Sequence, residues 1–408
     1  MSVIAMCVKD TGLSEQGVPM RREAALSPDE IRHSERVRAH VAGEIAAAGG
    51  WISFERYMDL VLYTPGLGYY SAGARKLGSG GDFTTSPEVS SLFGACVAKQ
   101  CAEILAELPG GSILEVGAGT GRLAVDILTR LESLGMLPAQ YFILELSADL
   151  RERQHKLVRE CIPHLSTRVQ WLDAPLEEPF DGVILANEVL DALPVVRFRW
   201  RDAACEELGI ARLEEKFQWA ARPMNCAGMQ ACRQLAAAAG GWEDGYISEY
   251  CPRLSSWAGS VVRSLRRGGA LWFDYGLPRP QYYLPERHDG TLICHFRHQA
   301  CDNPFMQPGL QDISAWVDFT ALAEACSRAG CELAGFTTQA FFLAGLGIDQ
   351  EMRAQAGENE NRFARLANQA KQLMLPGQMG ERFKAMAWAR GVHCEWSGFA
   401  LQDLRHTL

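Results

Sequence analysis

The sequence predicts a doubly wound, Rossmann-like α/β sheet, preceded by an N-terminal helical and lid region and interrupted by an inserted antiparallel β-meander. Three observations predict it. From residue 112 onward short apolar runs alternate with helical patterns, the mark of parallel strands covered on both faces. A glycine-rich turn, VGAGTG (116–121), closes the first of those runs. Between Leu193 and Gly245 the alternation lapses and polar and apolar residues follow each other with period two, as in strands wet on one face.

Taken in order, residues 1–26 have mixed composition and no period, and read as a tail. SPDE (27–30) is a capping box with Pro28 in the first helical position, and the helix it opens should run to Gly49-Gly50. Ser86-Pro87-Glu88 repeats that start signal and predicts one helix to about Leu108. Between them YTPGLGYYSAGARKLGSGGDFTTS (63–86) is too rich in glycine for a regular element. Its Tyr69, Tyr70, Arg75 and Phe83 are costly to leave loose in water, which suggests a lid over a ligand. Residues 27–110 therefore form the helical and lid region.

The sheet begins with SILEV, a helix through Leu134, YFILE (141–145), a helix through Arg159, RVQW (168–171) and DGVILA (181–186), giving a first core part over 111–193. VVRFRWRD, CEELGIARL and EEKFQWAARP then form the meander, with a short helix at 226–239, so that 194–245 is an insertion in the substrate region. GALWFDY (269–275) returns to the sheet after a helix carrying Leu254, Trp257, Val261 and Leu265; 246–408 holds the rest of the core and a C-terminal helical region.

The composition narrows the function. With 48% hydrophobic and 22% charged residues over 408 positions, the chain is an ordinary globular protein large enough for a core without disulfides. A net charge of −9 argues against a nucleic-acid sheath. The 13 cysteines include no CxxC pair, and the nine histidines, His295 and His298 among them, lack metal spacing, so reduced thiols and no metal site are expected. No apolar run reaches membrane length, and Lys9, Asp10, Glu15, Arg21 and Arg22 break any secretory signal; the expected location is cytoplasmic, without membrane insertion.

Which ligand the glycines hold follows from their neighbours. The spacing Gly117-x-Gly119-x-Gly121 lacks the extra residue of a dinucleotide fingerprint, and Glu115 just before it would repel a pyrophosphate. A sulfonium ligand with a free amino group reverses that sign. Glu115 can order the amino-acid end of S-adenosylmethionine, the glycines admit the nucleoside, and Glu145 at the next strand end can accept both ribose hydroxyls. Asp173, after the third strand, is placed to reach the adenine amino group.

The fourth strand ends in ANEVLDALPV (186–195), where Asn187, Glu188 and Asp191 should face the reaction. Carboxylates suit a cationic acceptor: they bind a guanidinium in bidentate geometry and stabilise its charge as a proton leaves. Glu188 is the first candidate for that role and Asp191 the second. An alternative use of these acids is structural, with Glu188 as a cap and Asp191 in an ion pair.

GYY (68–70), GDFTTSPEVSSLFG (81–94), LEVGAGTG (114–121), LELSADLRERQ (144–154), ANEVLDALPV, FDYG (273–276) and GLQDISAWVDF (309–319) followed by Gln339-Ala-Phe-Phe-Leu occur in consistent order over about residues 35–350. Together they resemble the family of mitochondrial complex I assembly factor 7 and its bacterial MidA relatives. The resemblance implies a class I methyltransferase using S-adenosylmethionine, and a protein acceptor. Its mitochondrial member symmetrically dimethylates an arginine of a complex I subunit, which places a respiratory-complex subunit among the candidate acceptors; it does not imply what bacterial members methylate. Ala118 stands where the family often has proline, and Trp316 where a histidine would be expected. Two other readings compete: an assembly scaffold that binds the nucleoside without turnover, and a methyltransferase for a bulky small molecule.

Overall fold

Residues 26–71, 84–297 and 299–408 are described by the computed structural model. The first 25 residues of the expected tail, Arg75 and Phe83 of the expected lid, and His298 lie outside them.

The capping box at Ser27 forms as expected: its hydroxyl accepts the Glu30 N–H at 3.3 Å and Glu30 Oε2 accepts the Ser27 N–H at 2.7 Å. It opens α1 (Pro28–Ala47), whose Val37, Val41 and Ile45 are buried at helical spacing. A two-residue strand, β1 (Ile52–Ser53), leads directly into α2 (Phe54–Tyr63), capped by Ser53 and buried along Phe54, Tyr57, Met58 and Val61. The turn that follows is not a loose lid where it is described. The N–H groups of Tyr69 and Tyr70 donate to the carbonyls of Val61 and Leu62, and Tyr69 is only 1% exposed. Aromatic rings too costly to solvate have been packed against α2 instead of being left to close over a ligand.

The single helix expected from Ser86 is two. α3 (Ser86–Val89) stops at Ser90, whose extended backbone (φ −163°, ψ 140°) breaks the helix. Ser90 then accepts the Leu92 N–H and starts α4 (Ser91–Ala106). A serine so placed competes with the helix for its own backbone partners.

The alternating region forms as read: β2 (Ser112–Val116), α5 (Arg122–Ser133), β3 (Tyr141–Leu144), α6 (Ala148–Cys161), β4 (Val169–Leu172) and β5 (Phe180–Asn187). The insertion is the antiparallel meander β6 (Val196–Arg201), β7 (Ala204–Leu213) and β8 (Lys216–Pro223), followed by α7 (Cys226–Ala238). β9 (Ile247–Tyr250) and the distant β1 extend it to five strands. After α8 (Leu254–Arg263) the chain enters the long β10 (Leu265–Leu277). A three-stranded ribbon, β11 (Ile293–Phe296), β12 (Gln299–Cys301) and β13 (Asp312–Ser314), precedes the short β14 (Val317–Asp318). β15 (Glu332–Thr338) and β16 (Phe383–Arg390), separated by helices, complete the main sheet.

That sheet runs β15-β16-β10-β5-β2-β3-β4, with β14 beside β10. The strands from β10 to β4 are parallel, and β16 is antiparallel to both of its neighbours. One face buries Ile113, Ile143 and Leu185 with residues of α4 and α5; the other buries Leu114, Ile184 and Trp272 with α8 and the helix Phe319–Arg328. The strand order reverses at β2, where β5 lies on one side and β3 on the other. Crevices for ligands open at such points, beyond the carboxyl ends of the strands. Among the described residues no helix is long and apolar enough to cross a membrane.

Candidate active site

β2 ends at Val116, and the chain turns through Gly117, Gly119 and Gly121 with φ of 66°, 55° and 86°. Three left-handed residues in five positions demand glycine. A Cβ on Gly117 would lie 3.0 Å from Val189 Cγ2, and one on Gly121 3.1 Å from Gln154 Cγ. The turn is tied to α3 by a hydrogen bond from the Thr120 hydroxyl to Glu88.

The two acids predicted to flank the turn do so. Glu115 is 2% exposed and accepts the Tyr141 hydroxyl at 2.7 Å. Burial raises its pKa to about 7; the Tyr141 bond opposes the shift and the charge of Glu145 adds to it. Glu145 Oε1 accepts the Ser147 N–H at 2.9 Å and Oε2 accepts Gln154 Nε2 at 3.2 Å, and burial pushes its pKa up as well. Asp173 differs from these two in its surroundings. Its side chain is 90% exposed and paired with Arg151, whose guanidinium also donates to the carbonyls of Glu145 and Leu172. That anchored arginine holds Asp173 on the rim.

Sequence reasoning missed Gln154 and Leu146. Gln154, fully buried, donates through Nε2 to Gly119 O at 2.8 Å as well as to Glu145, and its Oε1 accepts Trp171 Nε1 at 2.8 Å. One amide thus joins the glycine turn to the ends of the second and third strands. The available signal was its spacing from Val158, four residues on, which puts a polar amide on the buried face of α6. Leu146 is 81% exposed beside a buried acid, a position that apolar patterning alone would place in the core.

The second half of the site begins where β5 ends. Glu188 has φ of 54°, rare for a residue with a side chain and costing about 1–3 kcal/mol. The surroundings over-determine it. Glu188 N–H donates to Phe273 O at 2.8 Å, and Asp274 Oδ2 accepts the N–H groups of Val189, Leu190 and Asp191 at 3.2, 2.8 and 3.3 Å. Glu188 Oε1 accepts Ser86 N–H at 3.2 Å and Asn187 Nδ2 at 3.0 Å. Glu188 Oε2 and Asn187 Oδ1 are shielded from solvent without a hydrogen-bond partner among the described residues. Burial raises the Glu188 pKa to about 8, with Asp191 adding to the shift.

Asp191 is buried, and burial together with Asp274 and Asp312 lifts its pKa well above the carboxylate range. The arginine partner considered for it is not what acts on it; two further acids are. Asp274 and Asp312 stand inside the FDYG and GLQDISAWVDF motifs but were not singled out as site residues. For Asp274 the signal is an acid within an otherwise apolar strand. Asp312 Oδ1 accepts the Tyr70 hydroxyl at 2.7 Å, Oδ2 accepts Ser314 Oγ at 3.1 Å, and Tyr63 stacks on Tyr70 with ring centres 5.5 Å apart. The GYY segment is therefore a fixed wall of this half-site. Trp316 lines a cavity of about 190 Å³ with Leu190, Tyr282 and Tyr283, and the Arg287 guanidinium lies 5.1 Å from its ring centre.

A glycine turn between two buried acids at the switch point of the sheet suits an adenosyl ligand without phosphates. Residues 96–337 match the Methyltransf_28 family of S-adenosyl-L-methionine-dependent methyltransferases. The chain belongs to that family. The MidA and assembly factor 7 resemblance is thereby shown, and with it the class I methyltransferase fold and the cofactor, S-adenosylmethionine.

A Burkholderia thailandensis protein crystallised with S-adenosyl-homocysteine is 40% identical to this methyltransferase, covers 94% of this chain and 100% of its own, and superposes with a TM-score of 0.90. The protein arginine methyltransferase NDUFAF7 of Danio rerio is 29% identical over 86% of each chain, and its human counterpart 28% identical over 85% of this chain and 82% of its own. The residues present fit the cofactor. All three glycines hold a positive φ, a Cβ at Gly117 or Gly121 would crowd Val189 or Gln154, and two buried acids, whose charged forms a cation would stabilise, suit a sulfonium ligand better than a pyrophosphate.

Proposed function

We propose that this methyltransferase methylates an arginine side chain of a protein acceptor. In this reading Gly117, Gly119 and Gly121 cradle the nucleoside, Glu115 orders the amino-acid end and Glu145 takes the ribose hydroxyls. Leu146 offers the adenine an apolar surface. Bound S-adenosylmethionine supplies a methyl group made electrophilic by its sulfonium. Glu188 and Asn187, at the end of β5, receive the acceptor.

The observation that carries the reading is Glu188 Oε2, without a hydrogen-bond partner among the described residues, shielded from water and held at a strained turn. A buried carboxylate oxygen without a partner is expensive unless a ligand completes it. Asp191 and Asp312 act on it as well, so a cation is the ligand that would let these buried acids ionise. A guanidinium offers five N–H donors in a plane and matches a carboxylate edge to edge. As the N–C bond forms and the C–S bond breaks, one guanidinium proton must leave, and in this reading Glu188 or Asp191, ionised by the bound cation, takes it. The NDUFAF7 relatives, named as protein arginine methyltransferases, support the same acceptor.

The test is to incubate host lysate with the protein and methyl-labelled S-adenosylmethionine, hydrolyse the products and identify the labelled species by mass spectrometry. Methylarginine in protein is expected. Label confined to lysine, to carboxyl groups or to a small molecule would replace the arginine reading.

A further inference from the structure

The three-stranded ribbon carries two cysteines that its pairing sets face to face. β11 and β12 are antiparallel, and their register puts Cys294 directly opposite Cys301. Directly opposed residues of such a pair point to the same face of the sheet, with Cα atoms about 4.5 or 5.5 Å apart. Either spacing lies in the range that a disulfide spans. Both cysteines are free thiols in this structure.

The two sulfurs are unlike. Cys294 is fully buried in the cluster that holds Tyr57 and Ile313, while Cys301 packs at the edge of that cluster and is only half-buried. A hydrogen bond from the Cys294 thiol pulls Cys301 below the ordinary thiol range, against the opposing effect of burial. The same bond, together with burial, pushes Cys294 up and keeps it protonated. The loop after β12 holds the Cys301 sulfur in place: Sγ lies 3.7 Å from both Asn303 O and Gln311 Oε1, and Gln311 Nε2 donates to Asn303 O at 3.2 Å. An accessible thiolate beside a buried thiol pairs an attacking sulfur with one that resolves it. Cys205 and Cys232 are also hydrogen-bonded to each other, but at 2% and 0% exposure neither meets an oxidant from solution. A compartment that keeps thiols reduced still admits disulfides that form transiently, in catalysis or in sensing.

We propose that Cys294 and Cys301 are a peroxide-sensitive dithiol, a modification site that closes into a disulfide across the β11–β12 hairpin. The Cys301 sulfur attacks one oxygen of hydrogen peroxide; the S–O bond forms, the O–O bond breaks, and the other oxygen leaves as water once protonated. Cys294 then attacks the sulfenic sulfur of Cys301, the S–S bond forms, the S–O bond breaks, and the departing hydroxide takes the Cys294 proton as a second water. The two thiols together lose two electrons, and the peroxide gains them. The site stands independently of the arginine reading.

The full-length reduced protein, freed of reductant, is treated near neutral pH with a small excess of hydrogen peroxide. Remaining thiols are alkylated, and the peptides are mapped by mass spectrometry after cleavage at Arg297, which separates the two cysteines. A peptide pair joined through Cys294 and Cys301 and released by dithiothreitol is expected, at doses that leave the exposed Cys161 and Cys226 open to alkylation. Cys301→Ser should abolish the link and leave Cys294 unoxidised. Cys294→Ala should leave Cys301 as a sulfenic acid that dimedone traps. The wild-type map decides the question even where a variant fails to fold. Oxidation of Cys161 and Cys226 with Cys294 and Cys301 still unlinked would overturn the proposal. So would passage of wild-type Cys301 to sulfinic acid without a disulfide, or a link that forms only after the protein is unfolded.

Discussion

At the residue scale, Glu188 joins backbone strain to an unusual carboxyl environment. Glu188 combines a left-handed backbone, a shielded carboxylate oxygen without a partner among the described residues and a pKa raised to about 8. Its folded pKa lies above its value of 4.5 in the unfolded chain, so below about pH 4.5 both states hold the proton and Glu188 costs nothing electrostatically. As pH rises from there through about 8, the unfolded state alone loses the proton readily and stability falls. Glu188→Gln should therefore melt higher than the wild type at pH 9, by a margin that shrinks toward pH 5; a constant margin across that range would mean that the carboxyl titrates normally. Glu115, Glu145, Glu188 and the three glycines were legible because they stand at strand ends in a recognisable order. Gln154 and Asp312 were not, because their roles depend on partners 35 and 242 positions away, Gly119 and Tyr70. The pairing of Asp173 with Arg151 was not legible, because nothing local announces a partner 22 positions away.

At the scale of elements, local signals were followed where one start or stop dominated. The Ser27 box, the glycine turn, the alternating strands and helices of 112–187 and the period-two meander all form where the pattern put them. The break at Ser90 escaped because the Ser86-Pro87 start signal overlaps it. β15 and β16 escaped because helices separate them in the chain and only long-range pairing makes them neighbours. The glycine turn is the element most exposed to a single substitution. Gly119 has φ of 55°, so Gly119→Val adds a β-branched side chain where the backbone resists one and the nucleoside must approach. It should abolish S-adenosyl-homocysteine binding while leaving the far-UV circular dichroism of a folded protein; retained affinity would place the nucleoside elsewhere.

At the scale of the whole molecule, two layers of helix around one sheet bring β2, β3 and β5 side by side, and a separate five-stranded sheet and a three-stranded ribbon are added to it. Donor and acceptor halves meet through α3, whose Ser86 N–H reaches Glu188 while its Glu88 holds Thr120 of the glycine turn. A ligand that binds only the folded chain stabilises it by about 2.7 kcal/mol at a hundred times its Kd. S-adenosyl-homocysteine should accordingly raise the melting temperature by several degrees, and NAD at the same concentration should not; a shift with NAD alone would refute the assignment of the glycine turn. The strand order that creates this arrangement could not be read from the sequence, since local patterning names strands without naming their neighbours. The central claim is that one end of the site holds the donor and Glu188 holds the acceptor. The most direct measurement compares wild type and Glu188→Gln for labelled methyl transfer into lysate protein and for S-adenosyl-homocysteine affinity. Transfer should fall about ten- to a hundred-fold with affinity for the product nearly unchanged; undiminished transfer, or collapse of S-adenosyl-homocysteine binding, would contradict it.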